Sequence, residues 1–132
     1  MRDTNLRNES ILLTSLAKAA ERLLDAGHRL SQRCRPVAVS VDLQPRHYRT
    51  GPTIEGWVDV QTKDSSIAWT LDITWDDSQL QIQSDVRSDS CEPQAILFAF
   101  PTRIATSSTE FARELDATIS DIVNSIDSGK FI

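Results

Sequence analysis

Hydrophobic and polar residues alternate along the segment from Trp69 to Val86. The chain reads Trp-Thr-Leu-Asp-Ile-Thr-Trp, then Asp-Asp-Ser, then Gln-Leu-Gln-Ile-Gln-Ser-Asp-Val. Because successive side chains of a strand point to opposite faces, this pattern predicts a hairpin with one apolar and one polar face. The predicted apolar face comprises Trp69, Leu71, Ile73, Trp75, Leu80, Ile82 and Val86.

Three more strands are predicted around this hairpin. Val37 to Leu43 and Ile54 to Gln61 alternate in the same way, and residues 44–53 between them are predicted to form a loop of ten residues. Residues 95–100 are apolar at every position, so periodicity alone does not orient them. We expect the larger residues Ile96, Phe98 and Phe100 to face the core.

Two helices are predicted outside the strands. Leucines and alanines at spacings of three and four indicate an N-terminal helix from Asn5 to Ala26, with Gly27 as its left-handed C-terminal residue. Ser107 and Glu110 have the spacing of a capping box, and Gly129 is expected to end this second helix. Its expected apolar face comprises Phe111, Leu115, Ile119, Ile122, Val123 and Ile126.

The predicted fold is one α+β domain over residues 1–132, an antiparallel meander of about five strands between two helices. Five strands span about 24 Å and two helices cover about 20 Å, so both helices fit on one face of the sheet. The other face is then open. It would carry Ser40, Asp42, Glu55, Trp57, Asp59, Thr70, Asp72, Thr74, Gln81, Gln83, Asp85 and Arg87.

Composition narrows the class of protein. Hydrophobic residues make up 39% and charged residues 25% of the chain, which are ordinary globular values. No apolar run is long enough to span a membrane, and Met1 to Leu30 is too charged for a signal peptide, so we expect a cytoplasmic protein without membrane contact. Cys34 and Cys91 each precede a proline and an apolar run, which predicts reduced thiols at strand entries.

The net charge of −5 is unevenly distributed. Residues 1–54 hold nine Lys or Arg against five Asp or Glu (+4), whereas residues 55–132 hold five against fourteen (−9). Nucleic-acid binding depends on clustered cations, so this balance argues against a nucleic-acid partner. It favours a basic protein partner, or else serves only solubility.

Motifs for catalysis and cofactor binding are absent from the sequence. It contains no His-Glu-X-X-His, no paired Cys-X-X-Cys, no glycine-rich phosphate loop and no serine nucleophile elbow. Asp76 and Asp77 are adjacent carboxylates, but their place between two strands is typical of a turn. We therefore expect neither an enzyme nor a protein with a metal or cofactor.

Trp57 leads to the first functional hypothesis. Its position in the alternating pattern of the strand places a large aromatic ring on the polar face. An exposed tryptophan is typical of an interface anchor. The alternatives are that Lys63 or the fifth strand covers the ring, or that a register shift or bulge turns it inward. The hypothesis is a non-catalytic protein-binding module, comparable with inhibitor, immunity or chaperone-like proteins only in size and charge. Its expected partner-binding residues are Trp57, Glu55, Asp59, Asp72 and Asp85.

The predicted loop gives the second hypothesis. Arg46, His47, Tyr48 and Arg49 would together clamp a small carboxylate or phosphate ligand, with arginine as a bidentate donor. The alternative is a solvated connection whose arginines pair with nearby acids. For self-association, an edge strand or a helix is favoured over the open face, where five carboxylates would oppose their symmetry mates.

Overall fold

The computed structural model describes residues 9–34, 38–48, 51–63, 66–75, 78–88 and 95–131. It has the predicted α+β architecture, with one short strand in addition. In chain order the elements are α1 (Glu9–Cys34), β1 (Ala38–Tyr48), β2 (Gly51–Gln61), β3 (Ser66–Trp75), β4 (Leu80–Ser88), β5 (Ala95–Ala99), β6 (Arg103–Ala105) and α2 (Ser108–Ser128).

The sheet is an antiparallel meander in the order β1-β2-β3-β4-β5, as predicted. The additional strand β6 also pairs with β4, at Leu80 to Ile82, while β5 pairs with β4 from Asp85 to Ser88. Strands β5 and β6 therefore lie end to end along one side of β4. They are separated by residues 100–102, which include Pro101, a residue without an N–H to donate to the ladder.

Both helices pack on one face of this sheet, which confirms the prediction. Helix α1 rests on β1 and β2, α2 rests on β4 and β6, and the helices contact each other. The core lies between the sheet and the helices. It consists of the alternate, apolar side chains of the strands and the apolar side chains along one face of each helix. Its largest fully buried side chains include Trp69, Leu71, Ile73, Ile82, Phe111, Leu23 and Leu30.

The predicted caps of α2 are confirmed. Ser107 Oγ accepts a hydrogen bond from the Glu110 N–H at 3.1 Å, and the Glu110 carboxylate accepts one from the Thr106 N–H at 2.8 Å. Gly129 closes the helix in the left-handed conformation, at φ 71°. These local bonds satisfy backbone groups that the helix itself leaves unpaired, which is why sequence spacing predicts them well.

The predicted end of α1 is wrong. Gly27 does not terminate the helix; it is buried within it, and α1 continues to Cys34. A Cβ atom at this position would lie 2.6 Å from Val41 Cγ2, so Gly27 is required by the close approach of α1 to β1 rather than by a left-handed conformation. Cys34 accordingly ends a helix instead of entering a strand, and Cys91 lies outside the described residues.

Arginines of α1 join the two helices along their length. Arg22 pairs with Asp116 at 2.8 Å and Arg29 with Asp127 at 3.1 Å, so the helices run in the same direction. Arg33 donates to the backbone carbonyl of Ile126 at 2.7 Å. Since α2 has no basic residue in its own last turn, Arg33 supplies the cation that favours the negative end of the helix dipole.

The ten-residue loop predicted over residues 44–53 is also wrong. Strands β1 and β2 continue through it, with Pro45 opposite Ile54 and Tyr48 opposite Gly51, so the connection is a tight hairpin. Proline is tolerated there because β1 is an edge strand and β2 pairs with β3 only from Thr53 onward. Each proline therefore lies where one side of its strand carries no ladder.

Candidate functional site

The open face of the sheet brings together all five predicted partner-binding residues. Strand register places Glu55 opposite Asp72, and Trp57 opposite Thr70, which in turn lies opposite Asp85. Asp59 lies two residues along β2 from Trp57, on the same face. All five predicted residues are half-buried. We call this surface, formed by Glu55, Trp57, Asp59, Asp72 and Asp85, the acidic face.

Trp57 lies near the middle of this face. Its strand neighbours across the sheet are Asp42 on β1 and Thr70 on β3. The indole is half-buried and does not belong to the core, whose residues have the opposite parity. The neighbouring residue Val58 is fully buried, so the strand register fixes Trp57 on the face away from the helices.

Asp85 is held in a hydrogen-bonded network. Thr70 Oγ1 donates to Asp85 Oδ1 at 2.6 Å, and Arg87 donates through Nε to Oδ1 at 2.8 Å and through Nη2 to Oδ2 at 3.0 Å. This bidentate pair offsets the charge of Asp85 and fixes its orientation. Arg87 is the single cation among the open-face positions that the sequence predicts, and it is paired with Asp85.

Asp72 is the electrostatically unfavourable member of the acidic face. Burial raises the pKa of its carboxyl, and the nearby charges of Glu55 and Asp85 raise it further, whereas Arg87 acts in the opposite direction. A carboxylate that is desolvated beside other carboxylates destabilises the folded protein when it is ionised. Perturbed groups of this kind are concentrated at functional sites.

Because the folded-state pKa of Asp72 lies above its unfolded value, the folded protein binds the proton more tightly. Its contribution to stability therefore falls as pH rises from the unfolded pKa through the folded pKa. Asp72→Asn should stabilise the protein at pH 7 and flatten this part of the pH profile. Urea unfolding between pH 3 and pH 8 measures both effects; a loss of stability at pH 7 would contradict the assignment.

The second predicted site is not assembled as a loop. Arg46, His47 and Tyr48 belong to the paired strand β1, opposite Thr53, Pro52 and Gly51. Arg49 lies outside the described residues. The anion clamp was predicted from a long irregular segment that would gather four side chains. Arg46, His47 and Tyr48 therefore lie on a paired strand rather than on a long loop, and the anion clamp stays a prediction.

The predicted burial of the side chains of β5 is also wrong. All five of its residues are exposed, with Ile96 at 60%, Leu97 at 44% and Phe98 at 43%, so the expected burial of Ile96 and Phe98 is wrong. The physical reason is position: α2 packs on β4 and β6, which leaves β5 at the sheet edge beyond the helix layer. Phe100, just past the strand, is half-buried against the core.

A groove of about 320 Å³ opens between the first turns of α1 and α2, lined by residues such as Ile11, Lys18 and Asp116. Among the described residues, no group of three or more His, Cys, Asp or Glu side chains is placed to hold a metal ion. None of the helices in the described ranges is both long enough and apolar enough to cross a lipid bilayer.

The acidic face is thus a half-buried tryptophan among carboxylates on strands that are paired on both sides. Comparison of the chain with models of protein families, with curated proteins and with solved structures yields no match.

Proposed function

We propose that the protein is a non-catalytic binding module whose acidic face docks a basic protein partner. The class of role is that of an inhibitor, immunity or chaperone-like protein, in which one folded domain covers a cationic surface of another. The observation that carries the proposal is the strand register that sets the half-buried Trp57 among four carboxylates on the face away from the helices. Burial and the charges of Glu55 and Asp85 also raise the pKa of Asp72, and a bound cation would favour its ionised form.

Charge complementarity selects the partner. The face presents carboxylates from β2, β3 and β4, and Arg87 on β4 is paired with Asp85. A lysine or arginine of a partner placed beside Glu55 and Asp72 would lower the energy of both. The same cation can lie over the ring of Trp57, where the π electrons attract it.

The sheet also provides the rigidity that such a site needs. Glu55, Trp57 and Asp72 lie on strands paired on both sides over this region, so their backbones are fixed by ladder hydrogen bonds. A preorganised surface loses little conformational entropy on binding. Tryptophan adds a large apolar contact area with few rotatable bonds.

Trp57→Ala and Asp72→Asn should each weaken capture of the partner about tenfold or more, because an interface anchor or a desolvated charge is removed. The measurement is affinity capture from native lysate, followed by titration of the captured basic protein at increasing salt. Binding should weaken as ionic strength rises.

Matched controls separate docking from folding. Trp75→Ala removes a tryptophan that is 39% exposed at the end of β3, and Asp25→Asn removes an exposed carboxylate on α1. Both variants should retain binding. Capture that is unaffected by Trp57→Ala and Asp72→Asn, or that is insensitive to salt, would overturn the proposal.

A further inference from the structure

We infer that the acidic face, together with an apolar strip beside it, binds one cationic amphipathic helix of the partner. The inference rests on the proposed docking function and names the kind of segment that docks. The apolar strip consists of Ile96 and Ala99 on β5 and Ile104 on β6. All three residues are exposed, Ile104 to 47%. The sequence pattern did not place them on the open face, because periodicity alone does not orient β5.

Strand register places the apolar strip on the open face of the sheet. Residues paired across a ladder share a face, and the partners of the strip on β4 are open-face residues. The pairs are Ile96 with Arg87, Ala99 with Asp85, and Ile104 with Gln81. A register shift in the pairing of β4 with β5 allows Ile96 and Ala99, which are three residues apart, to lie on the same face.

The chemistry of the open face changes from charged to apolar across the strands. Carboxylates lie beside Trp57 on β2 and β3, the ion pair of Asp85 and Arg87 follows on β4, and the apolar strip borders β4. Three strand spacings, about 14 Å, separate β2 from β5. A helix with its side chains is about 10–12 Å across. One helix above β3 and β4 therefore reaches the apolar strip on one flank and, through long cationic side chains, Asp72 on the other.

Backbone hydrogen bonding favours a helix over an extended segment on this surface. Strands β2, β3 and β4 are each paired on both sides, so their backbone groups are used within the sheet. A segment that lies on the face must satisfy its own N–H and C=O groups, as a helix does. The opposite face of the same sheet is covered in this way, by α1 on β1 and β2 and by α2 on β4 and β6.

The length of the apolar strip sets the length of the docked helix. Between the partners of Ile104 and Ile96, the strip spans six residues of β4, from Gln81 to Arg87, or about 20 Å. A helix rises about 1.5 Å per residue, so about 13 residues cover this distance. Their apolar side chains should recur at spacings of three and four, with lysines or arginines on the flank that faces β2 and β3.

Two fluorescently labelled peptides of identical composition test the inference. Both consist of about 14 leucines and lysines and carry the same net charge. In the first peptide leucine recurs at spacings of three and four, which gives a helix with one apolar face; in the second the same residues are ordered so that no helical face is apolar. Fluorescence anisotropy with the full chain should show about tenfold tighter binding of the first peptide, with a gain of helical circular dichroism signal on binding.

Variants of the open face locate the peptide. Ile96→Ser and Ile104→Ser should each weaken binding of the helical peptide about fivefold, because each removes apolar contact area. Asp72→Asn should weaken binding of both peptides, since a negative charge attracts either one. Leu24→Ser is the matched control, because Leu24 is an exposed apolar residue on α1, on the other side of the sheet. It should bind both peptides as the unmodified chain does.

The helix inference and the docking proposal fail in different ways. Equal, salt-sensitive binding of both peptides, unchanged by Ile96→Ser and Ile104→Ser, would overturn the helix inference and leave docking of a basic partner standing. Binding of neither peptide would also overturn the helix inference, while capture with Trp57→Ala still tests docking. A dimer of the unmodified chain that dissociates in Ile96→Ser during sedimentation would show a second copy on the apolar strip and would likewise overturn the inference.

Discussion

Replacing Trp69 with alanine is expected to reduce the free energy of unfolding by about 3–5 kcal/mol. Trp69 is 2% exposed and lies at the centre of β3, between Val58 and Val86. Its indole Nε1 donates to Ser125 Oγ at 3.0 Å, and the ring meets that of Phe131 edge-on, with centroids 6.3 Å apart. Alanine would remove this packing and leave a cavity between sheet and α2.

Chemical denaturation measures the loss, with thermal unfolding expected to shift down by more than about 10 °C. Trp69→Phe is the intermediate variant, because it retains a ring but leaves Ser125 without its donor, so a smaller loss is expected. A change below about 1 kcal/mol for Trp69→Ala would contradict the placement of this side chain in the core.

Comparing Trp57→Ala with Trp69→Ala separates an effect on binding from an effect on stability. The two tryptophans lie on neighbouring strands, with Trp57 beside Val58, the residue that pairs with Trp69. They point to opposite faces, so the same substitution removes a core ring in one case and a half-buried surface ring in the other. We expect the greater loss of stability from Trp69→Ala and the greater loss of binding from Trp57→Ala.

The parts of the fold that local rules determine were predictable from the sequence. Alternation in β3 and β4 predicted the burial of most residues, because the side-chain period of a strand depends only on its backbone. Trp75 is an exception: it was predicted on the apolar face, but at the end of β3 it is 39% exposed. The caps at Ser107 and Gly129 are likewise made within a few residues. The same alternation placed the residues of the acidic face on one side of the sheet, including Trp57.

The parts that depend on distant contacts were not predictable in this way. Whether Ile96 and Phe98 are buried depends on which strands α2 covers. Helix α2 packs on β4 and β6 and leaves β5 exposed. Pro45 and Pro52 indicated a loop because proline lacks an N–H, but the vacant sides of β1 and β2 accommodate both. The half-burial of Trp57 and the raised pKa of Asp72 likewise depend on neighbouring strands.

The two sides of the same strands therefore have opposite effects on the stability of the fold. Strand β3 buries Trp69, Leu71 and Ile73 on one side and presents Asp72 on the other. Removing the charge of Asp72 should improve folding, whereas removing Trp69 should impair it. Under the docking proposal, such a carboxyl would trade stability for binding.

Gly27→Ala is the substitution for which sequence and structure give opposite expectations. In the interior of a helix, alanine is more favourable than glycine by about 1 kcal/mol. The structure places the new Cβ 2.6 Å from Val41 Cγ2 and 3.5 Å from Val39 Cγ1. Valine is stiff at χ1, so Val41 cannot easily move aside. Overpacking by about 1–3 kcal/mol should outweigh the gain in helix propensity and give a net loss of stability.

A double-mutant cycle isolates the contact. In a Val41→Ala background the obstructing methyl group is gone, so Gly27→Ala should become neutral or stabilising, with a coupling free energy of about 2 kcal/mol. Ala17→Gly, at an exposed position of the same helix, measures the intrinsic difference between the two residues and should cost about 1 kcal/mol. Stabilisation by Gly27→Ala in the unmodified chain would show that α1 and β1 are farther apart than the structure places them. A net loss that persists unchanged in the Val41→Ala background would instead locate the strain in the helix backbone.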